Sequence, residues 1–246
     1  MSRTPTPSDQ NRVRLGTRFA FIAAMEREVA PLIRTWKSRT LEHDGQQHRL
    51  FENGIAVLIC GGIGAQAARR ATEAVIREVR PERVVSVGYA GALNHALNVA
   101  DIVEPRTVIN ARDGSRTETG SGQGTLVSYA AVADREQKGK LGRAYEAVAV
   151  DMEAAAVAQG AQVHEVEFAA VKAISDGADF LMPPTERFVS SDGQFRSARF
   201  ALHVAVRPWL WGATIALARN SARASRALCA AISSYLERES RNLNLG

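Results

Sequence analysis

Along the first three quarters of this 246-residue chain, short apolar runs alternate with segments whose apolar positions recur at helical spacing. Residues 18–24 (RFAFIAA), 83–88 and 168–174 are compact apolar runs bounded by polar or small residues, and they read as buried strands. Residues 125–128 and 147–152 read the same way, and shorter strands are expected at 101–103 and 107–109. A hairpin is expected from 47–51 and 55–60, turned at Glu52-Asn53-Gly54, because Asn-Gly accepts the left-handed backbone of a tight turn. Helices are expected at 26–36, 65–79, 134–144 and 154–163; in the second, Ala68, Ala71, Val75 and Val79 share one face. This alternation implies an α/β fold, a three-layer sandwich whose central mixed, mostly parallel sheet is covered on both faces. Residues 110–124 are polar and rich in Gly, Ser and Thr, and are expected to form the most mobile internal surface loop.

The last quarter is different. Residues 199–235 are almost continuously helical in pattern except at Arg207-Pro208, where proline ends or kinks a helix. Beyond Ala213, the residues Ile215, Ala218, Ala222, Cys229, Ile232 and Leu236 fall on one face with Arg219, Arg223 and Arg226 along its edge, so an amphipathic helix packed on the domain is expected. Arg199, His203, Arg207 and Pro208 break the apolar stretch well short of the ~20 residues that a membrane span requires. One domain over 17–246 is expected, with 181–246 as its helical C-terminal extension. Residues 1–16 are polar, lack the apolar h-region of a secretory signal, and read as a frayed tail.

Composition narrows the function classes. A chain with 46% hydrophobic and 23% charged residues is an ordinary soluble globular protein. Its two cysteines, Cys60 and Cys229, are too far apart in sequence to suggest a disulfide framework or a cysteine metal site, which fits a reducing cytoplasm. No metal or cofactor is expected. The net charge of +5 comes from the chain's end, where eight Arg and two Glu occur between Arg196 and Gly246. Such a segment suits phosphate, nucleic acid or anionic lipid, but these runs more often form a solvated face, and no nucleic-acid partner is expected.

Candidate chemistry sits where strands end. Val150-Asp151-Met152-Glu153 closes one apolar run and Ser175-Asp176-Gly177 closes the next, one helix later. In an α/β sheet this puts Glu153 and Asp176 on neighbouring loops at the carboxyl ends of two strands, where open sheets bind their ligands. Glu28 follows the first strand in Ala24-Met25-Glu26-Arg27-Glu28. Each acid also has a plain structural use: Glu28 favours a helix N-terminus, Asp176-Gly177 makes a turn, and Glu153 begins a helix. The occurrence of all three just past strands is what points to function. Gly62-Ile63-Gly64-Ala65-Gln66-Ala67 fits a G-x-G-x-x-A pattern, yet the next strand ends Val87-Gly88-Tyr89-Ala90, without the carboxylate that holds a dinucleotide ribose. A dinucleotide site is therefore rejected, and the glycines serve backbone approach to a ligand or tight strand–helix packing.

The blocks A-M-E-x-E-V (24–29), G-G-I-G (61–64), V-G-Y-A-G-A-L (87–93), D-I-V-x-P (101–105), V-D-M-E-A-A-A (150–156) and V-K-A-I-S-D-G-A-D (171–179) occur in the order found in the nucleoside phosphorylase superfamily. Over about residues 18–179 the chain resembles its methylthioadenosine/S-adenosylhomocysteine nucleosidase branch. The resemblance implies cleavage of the N-glycosidic bond of a 5′-substituted adenosine, with a small adenine nucleoside as partner and a homodimer as assembly. It implies that Asp176 is the general acid at adenine N7, that Glu28 orients and deprotonates the attacking water, and that Glu153 holds the ribose hydroxyls. By the same matching Met152 packs against sugar and base, Ile63 lines the 5′ pocket, Ala90 and Gly91 form the base and ribose loop, and Val132 and Ala133 form the adenine face. Leaving-group protonation beside an oxocarbenium-like sugar calls for one carboxyl that holds or shares a proton and another that stays anionic.

Three departures matter. Tyr89 stands where the family usually has Ser, Val132 where it usually has an aromatic residue, and 106–124 is shorter than the nucleosidase segment that normally helps to build the dimer interface. Residues 188–235 resemble instead the C-terminal extension of the hopanoid-associated branch, whose members remove adenine from an adenosylated lipid. Trp209, Trp211 and the arginine row suit peripheral contact with a membrane surface, while a helical lid on the core accounts for the same pattern. Two other readings stay open: phosphorolysis, with Arg112 and Arg116 as candidate phosphate ligands, and a non-catalytic nucleoside-binding protein that retains the fold.

Overall fold

The computed structural model describes residues 18–190 and 193–244, and residues 1–16, expected as a tail, lie outside them. At its centre β1 (Phe19–Ala23), β4 (Ala56–Cys60), β5 (Arg83–Ala92) and β11 (Glu167–Asp176) run parallel in the order β4-β1-β5-β11. Their alternate residues point to opposite faces, so Ala20 and Ile22 enter one core while Phe19, Phe21 and Ala23 enter the other. Both faces are covered, which is why these strands are mostly apolar, with Ser86, Lys172, Ser175 and Asp176 as buried exceptions.

β2 (Lys37–His43) and β3 (Gln46–Asn53) extend the β4 edge by antiparallel pairing. A second arm of the sheet, β10 (Ala149–Asp151), β9 (Thr125–Ser128), β7 (Thr107–Asn110) and β8 (Arg116–Glu118), joins the end of β5 through Ala149↔Ala92 and Val150↔Gly91. The short β6 (Ile102–Val103) pairs with β11. Helices α2 (Ala65–Val79) and α4 (Ala154–Val163) cover one face through Ala71, Val75, Val157 and Ala161. Helices α1 (Glu26–Ile33) and α6 (Trp211–Asn244) cover the other through Val29, Ile33, Leu228 and Ile232. α3 (Arg135–Tyr145) closes a third cluster in which Leu141 meets Ile109 and Val127. α5 (Ser197–Ala205) buries none of its residues.

Five expectations need correction. β2 is invisible in the apolar pattern because it is an edge strand on which only Leu41 is buried. Segment 110–124 is no open loop: β8 pairs with β7, and Thr119 Oγ1 donates to Pro105 O at 2.7 Å. α1 stops at Ile33, short of Trp36. The strands leading to Glu153 and Asp176 are not neighbours running together; both pair with β5, β11 parallel and β10 antiparallel, so their ends converge on Gly91 from opposite directions. The buried face of α6 is Ala224, Leu228, Ile232 and Tyr235, while Ile215, Ala218 and Ala222 are exposed. Tyr235 decides that register: its ring meets Phe19 and Phe21, and its hydroxyl accepts from Arg83 Nη1 at 2.8 Å. Among the described residues, no single helix is long and apolar enough to cross a membrane.

Candidate active site

Where the two arms of the sheet meet at the end of β5, a cavity of about 180 Å³ opens. Glu28, Ile63, Ala90, Gly91, Val132, Ala133, Met152, Glu153 and Asp176 all line it, so the nine site residues expected from the sequence are brought together. Arg112 and Arg116 are not among the lining residues.

Glu28 reaches the cavity because β1 ends at Ala23 and the chain turns at Met25 into α1. The Met25 N–H donates to Glu28 Oε2 at 3.4 Å, and the side chain is buried against β5. Gly88 makes this approach feasible: a Cβ there would stand 3.1 Å from Glu28 Oε2, on a backbone with φ of +148° that disfavours side chains. Glu153 leads into α4, and its Oε1 accepts the Gly64 N–H at 2.7 Å, which ties the G-G-I-G loop to the acid. Its neighbour Asp151 is buried beneath; Oδ1 accepts from Ser128 Oγ at 2.5 Å, and Oδ2 accepts from the Ala154 N–H at 2.8 Å.

Burial, then the charge of Glu153, push the Glu28 carboxyl up to about 7, against the pull of Lys172 and the Met25 N–H. Glu153 is likewise raised to about 7, by burial and then by Asp151, with Lys172 and the Gly64 N–H opposing. Lys172 is the counter-charge of this corner: its ammonium is 1% exposed, lies 2.9 Å from Asp151 Oδ2 and donates to Ser86 Oγ at 3.0 Å. A buried pair of this kind adds little net stability, but it limits the accumulation of negative charge under the two glutamates.

Asp176 stands in different surroundings. Its Oδ2 is ion-paired with Lys138 Nζ, and its Oδ1 accepts from Ser175 Oγ at 2.6 Å. Gly91 makes room for the pair, since a Cβ there would lie 3.0 Å from both Asp176 Oδ2 and Lys138 Cε. Gly91→Ala is therefore expected to displace the pair, lowering kcat on the order of 10²-fold while costing about 1–3 kcal/mol of stability. Parallel rate and thermal-denaturation measurements check this, and unchanged turnover would show that the contact tolerates a methyl group.

Sequence reasoning missed Lys138 and Arg27, and it named Tyr89 and the extension without their contacts. Lys138 and Leu141 are the buried pair of the otherwise polar α3, so their three-residue spacing was the available signal. Arg27 lines the cavity with its guanidinium 4.9 Å from the Phe195 ring, a contact that no spacing announces. Met182, Thr185, Val189, Phe195, Leu217 and Ser221 show that the C-terminal extension builds one wall. Tyr89 fastens that wall, its hydroxyl donating to Ser221 O at 2.9 Å, and this is the physical use of the residue that departs from the family pattern. The aromatic residues that line the cavity are Tyr89 and Phe195.

The described residues contain no cluster of His, Cys, Asp and Glu that would hold a metal ion. The arrangement offers three buried or half-buried carboxyls, two near neutral titration and one in an ion pair, around an opening flanked by apolar groups. That set suits proton transfer to and from a small polar ligand.

Comparison with known proteins agrees with this geometry. A 5′-methylthioadenosine/S-adenosylhomocysteine nucleosidase of Staphylococcus carnosus is 30% identical over 198 residues, covering 64% of this chain and 86% of that protein. The Bacillus subtilis protein of the same name is 29% identical, covering 65% and 85%. Among solved structures, the apo 5′-methylthioadenosine nucleosidase of Arabidopsis thaliana superposes with a TM-score of 0.68 at 16% identity, covering 90% of this chain and 95% of that one. The Streptococcus pyogenes S-adenosylhomocysteine nucleosidase superposes with a TM-score of 0.67 at 17% identity, covering 92% and 98%. These structural likenesses establish the shared fold. The model of the family described as the phosphorylase superfamily matches residues 18–138 and 126–205, and the chain belongs to that superfamily.

Proposed function

We propose that the protein is an N-glycosidase that hydrolyses 5′-substituted adenosines such as 5′-methylthioadenosine or S-adenosylhomocysteine. The observation that carries this reading is the convergence of Glu28, Glu153 and Asp176 on one cavity, with both glutamates raised by burial and Asp176 alone in an ion pair. The adenine lies against Val132, Ala133 and the Ala90-Gly91 backbone, with Met152 between base and sugar. Glu153 accepts hydrogen bonds from the ribose hydroxyls. Asp176 supplies a proton or a hydrogen bond to N7 as the bond to C1′ lengthens. Glu28, titrating near neutrality, takes the proton of the water that attacks C1′, and a base is most effective when its pKa lies close to the working pH. Ile63 and the extension border the 5′ substituent.

The deciding experiment follows adenine release from 5′-methylthioadenosine with and without phosphate. Equal release in both conditions is expected; release that requires phosphate would make the enzyme a phosphorylase, with Arg27 as the cation at the cavity wall.

A second reading concerns the 5′ substituent, and one observation favours it. Leu181, Leu202, Val206, Trp209, Trp211 and Ile215 are each about half or more exposed, and all belong to the extension that walls the cavity. Arg199, Arg219, Arg223 and Arg226 are exposed in the same segment. Exposed apolar side chains and cations on one segment are what contact with an anionic lipid surface uses, and a long apolar 5′ chain would follow the same wall. Co-sedimentation with anionic vesicles, and adenine release compared between 5′-methylthioadenosine and lipid-substituted adenosines, test it. Release confined to the small substrate together with absent vesicle binding would leave the extension as a lid.

A further inference from the structure

Lys138 is an odd member of the cavity wall. It is 2% exposed, on a helix that is otherwise almost entirely polar and solvated. Its stem passes below Gly91, and its ammonium is held between Asp176 Oδ2 and Gly177 O, the latter at 2.7 Å. Ser175 Oγ occupies the other oxygen of Asp176 at 2.6 Å. With a donor on each oxygen, Asp176 is the acceptor in both contacts, and an oxygen that accepts from Lys138 offers no proton of its own in this arrangement. The proposed hydrolysis nevertheless needs a proton at N7 of the departing base. Lysine can release a proton in a buried site, which arginine cannot.

We propose that Lys138 and Asp176 form one proton-sharing unit, in which the proton that reaches the departing purine rests on Lys138 Nζ and passes through Asp176. This inference rests on the nucleosidase reading. As the C1′–N9 bond breaks, its electron pair goes to the purine, Asp176 gives a proton to N7, and Asp176 takes a proton from Lys138. Water adds to C1′ and gives a proton to Glu28. Solvent then returns a proton to neutral Lys138 and removes one from Glu28, so the cycle closes with one water consumed. Lys138 acts through Asp176 and is a positioning residue that also stores the proton.

Other charges face the pair from every side. On the outer side are Arg135 and Arg143 of α3, Glu146 after it, His95 beyond β5 and Asp179 beyond β11. Arg135 and His95 both approach Asp179, at 2.8 and 3.5 Å. Across the inner cavity lie Arg27, Glu28, Asp151 and Glu153.

The test uses the full chain as wild type, Lys138→Arg and Lys138→Met, with adenine release from 5′-methylthioadenosine followed from about pH 5 to about pH 9. A 5′-methylthio deaza analogue that lacks N7 serves as a binding probe. Lys138→Arg keeps the charge but not the transferable proton, so kcat is expected to fall about 100-fold or more while KM and probe affinity move less than about threefold. Lys138→Met leaves Asp176 dependent on a proton from solvent, so while Glu28 still sets the acid limb, the activity is expected to fall away on the alkaline side, with that limb displaced by about one pH unit or more from wild type. Lys138→Arg activity within about threefold of wild type would reduce the lysine to a fixed charge and overturn the proposal. So would a Lys138→Met profile that superimposes on the wild-type curve, and this second variant decides alone should the arginine variant not fold. A wild type that releases no adenine sinks the nucleosidase reading together with this one, whereas an active wild type with unmoved variants sinks this one alone.

Discussion

Asp176→Asn is expected to lower adenine release by about 10²–10⁴-fold, because the amide can donate a hydrogen bond to N7 but cannot transfer a proton to it, while it keeps nearly the same shape. The substitution also leaves the Lys138 ammonium buried without its counter-ion. Removing one partner of a buried pair costs on the order of 3 kcal/mol, which for a domain of this size lowers Tm by about 5–10 °C. The double variant Asp176→Asn with Lys138→Met removes that stranded charge, so it is expected to recover most of the stability and none of the activity. Adenine release and calorimetry on the three proteins separate chemistry from folding. A single variant that binds nucleoside and shows no lost turnover, because wild type had none, would favour the non-catalytic binder that the sequence leaves open.

Glu28→Gln is expected to abolish most turnover and, above neutrality, to make the protein more stable than wild type. Burial raises the Glu28 carboxyl from its ordinary 4.5 to about 7. Below the lower value both folded and unfolded chains hold the proton, and no difference arises. Between the two values the folded chain keeps a proton that the unfolded chain has released, so wild-type stability falls as pH rises. Above the upper value the whole cost applies, about 3 kcal/mol at 1.36 kcal/mol for each unit of pKa. Glutamine does not titrate and avoids that cost. Thermal denaturation of both proteins from about pH 4.5 to about pH 8.5 is expected to give curves that meet at the acid end and diverge by several degrees at the alkaline end. Parallel curves would mean that Glu28 is solvated enough to ionise freely. The same titration predicts that wild-type turnover rises with pH through about 7, as the base loses its proton.

The three acids were legible for a local reason. Each follows an apolar run, so its position at a strand end is written in the pattern of neighbours. The same logic found α2 and α4 with their boundaries intact, α2 through its helical periodicity and α4 as an alanine-rich segment set between two strands. It failed at β2, where an edge strand exposes nearly every side chain and leaves no apolar period. It also failed at the register of α6, because several faces of an alanine-rich helix are apolar enough to pack, and Tyr235 against Phe19 and Phe21 selects one of them. Lys138 escaped notice because a lysine among polar neighbours looks like solvated surface until a carboxylate is found beside it.

The sequence by itself determined the layered α/β architecture, the three acids, the glycines beside them and the presence of a helical extension, since these depend on local periodicity, strand endings and turn chemistry. Only the tertiary structure decided that β10 meets β5 from the opposite direction to β11, that Lys138 and not a loop arginine is the cation beside Asp176, and that the extension walls the cavity through Phe195 and Leu217. The reason is physical: those facts are contacts between residues tens to hundreds of positions apart, selected by which buried charges and side-chain volumes match across the closed core, and short-range patterns carry no record of that match.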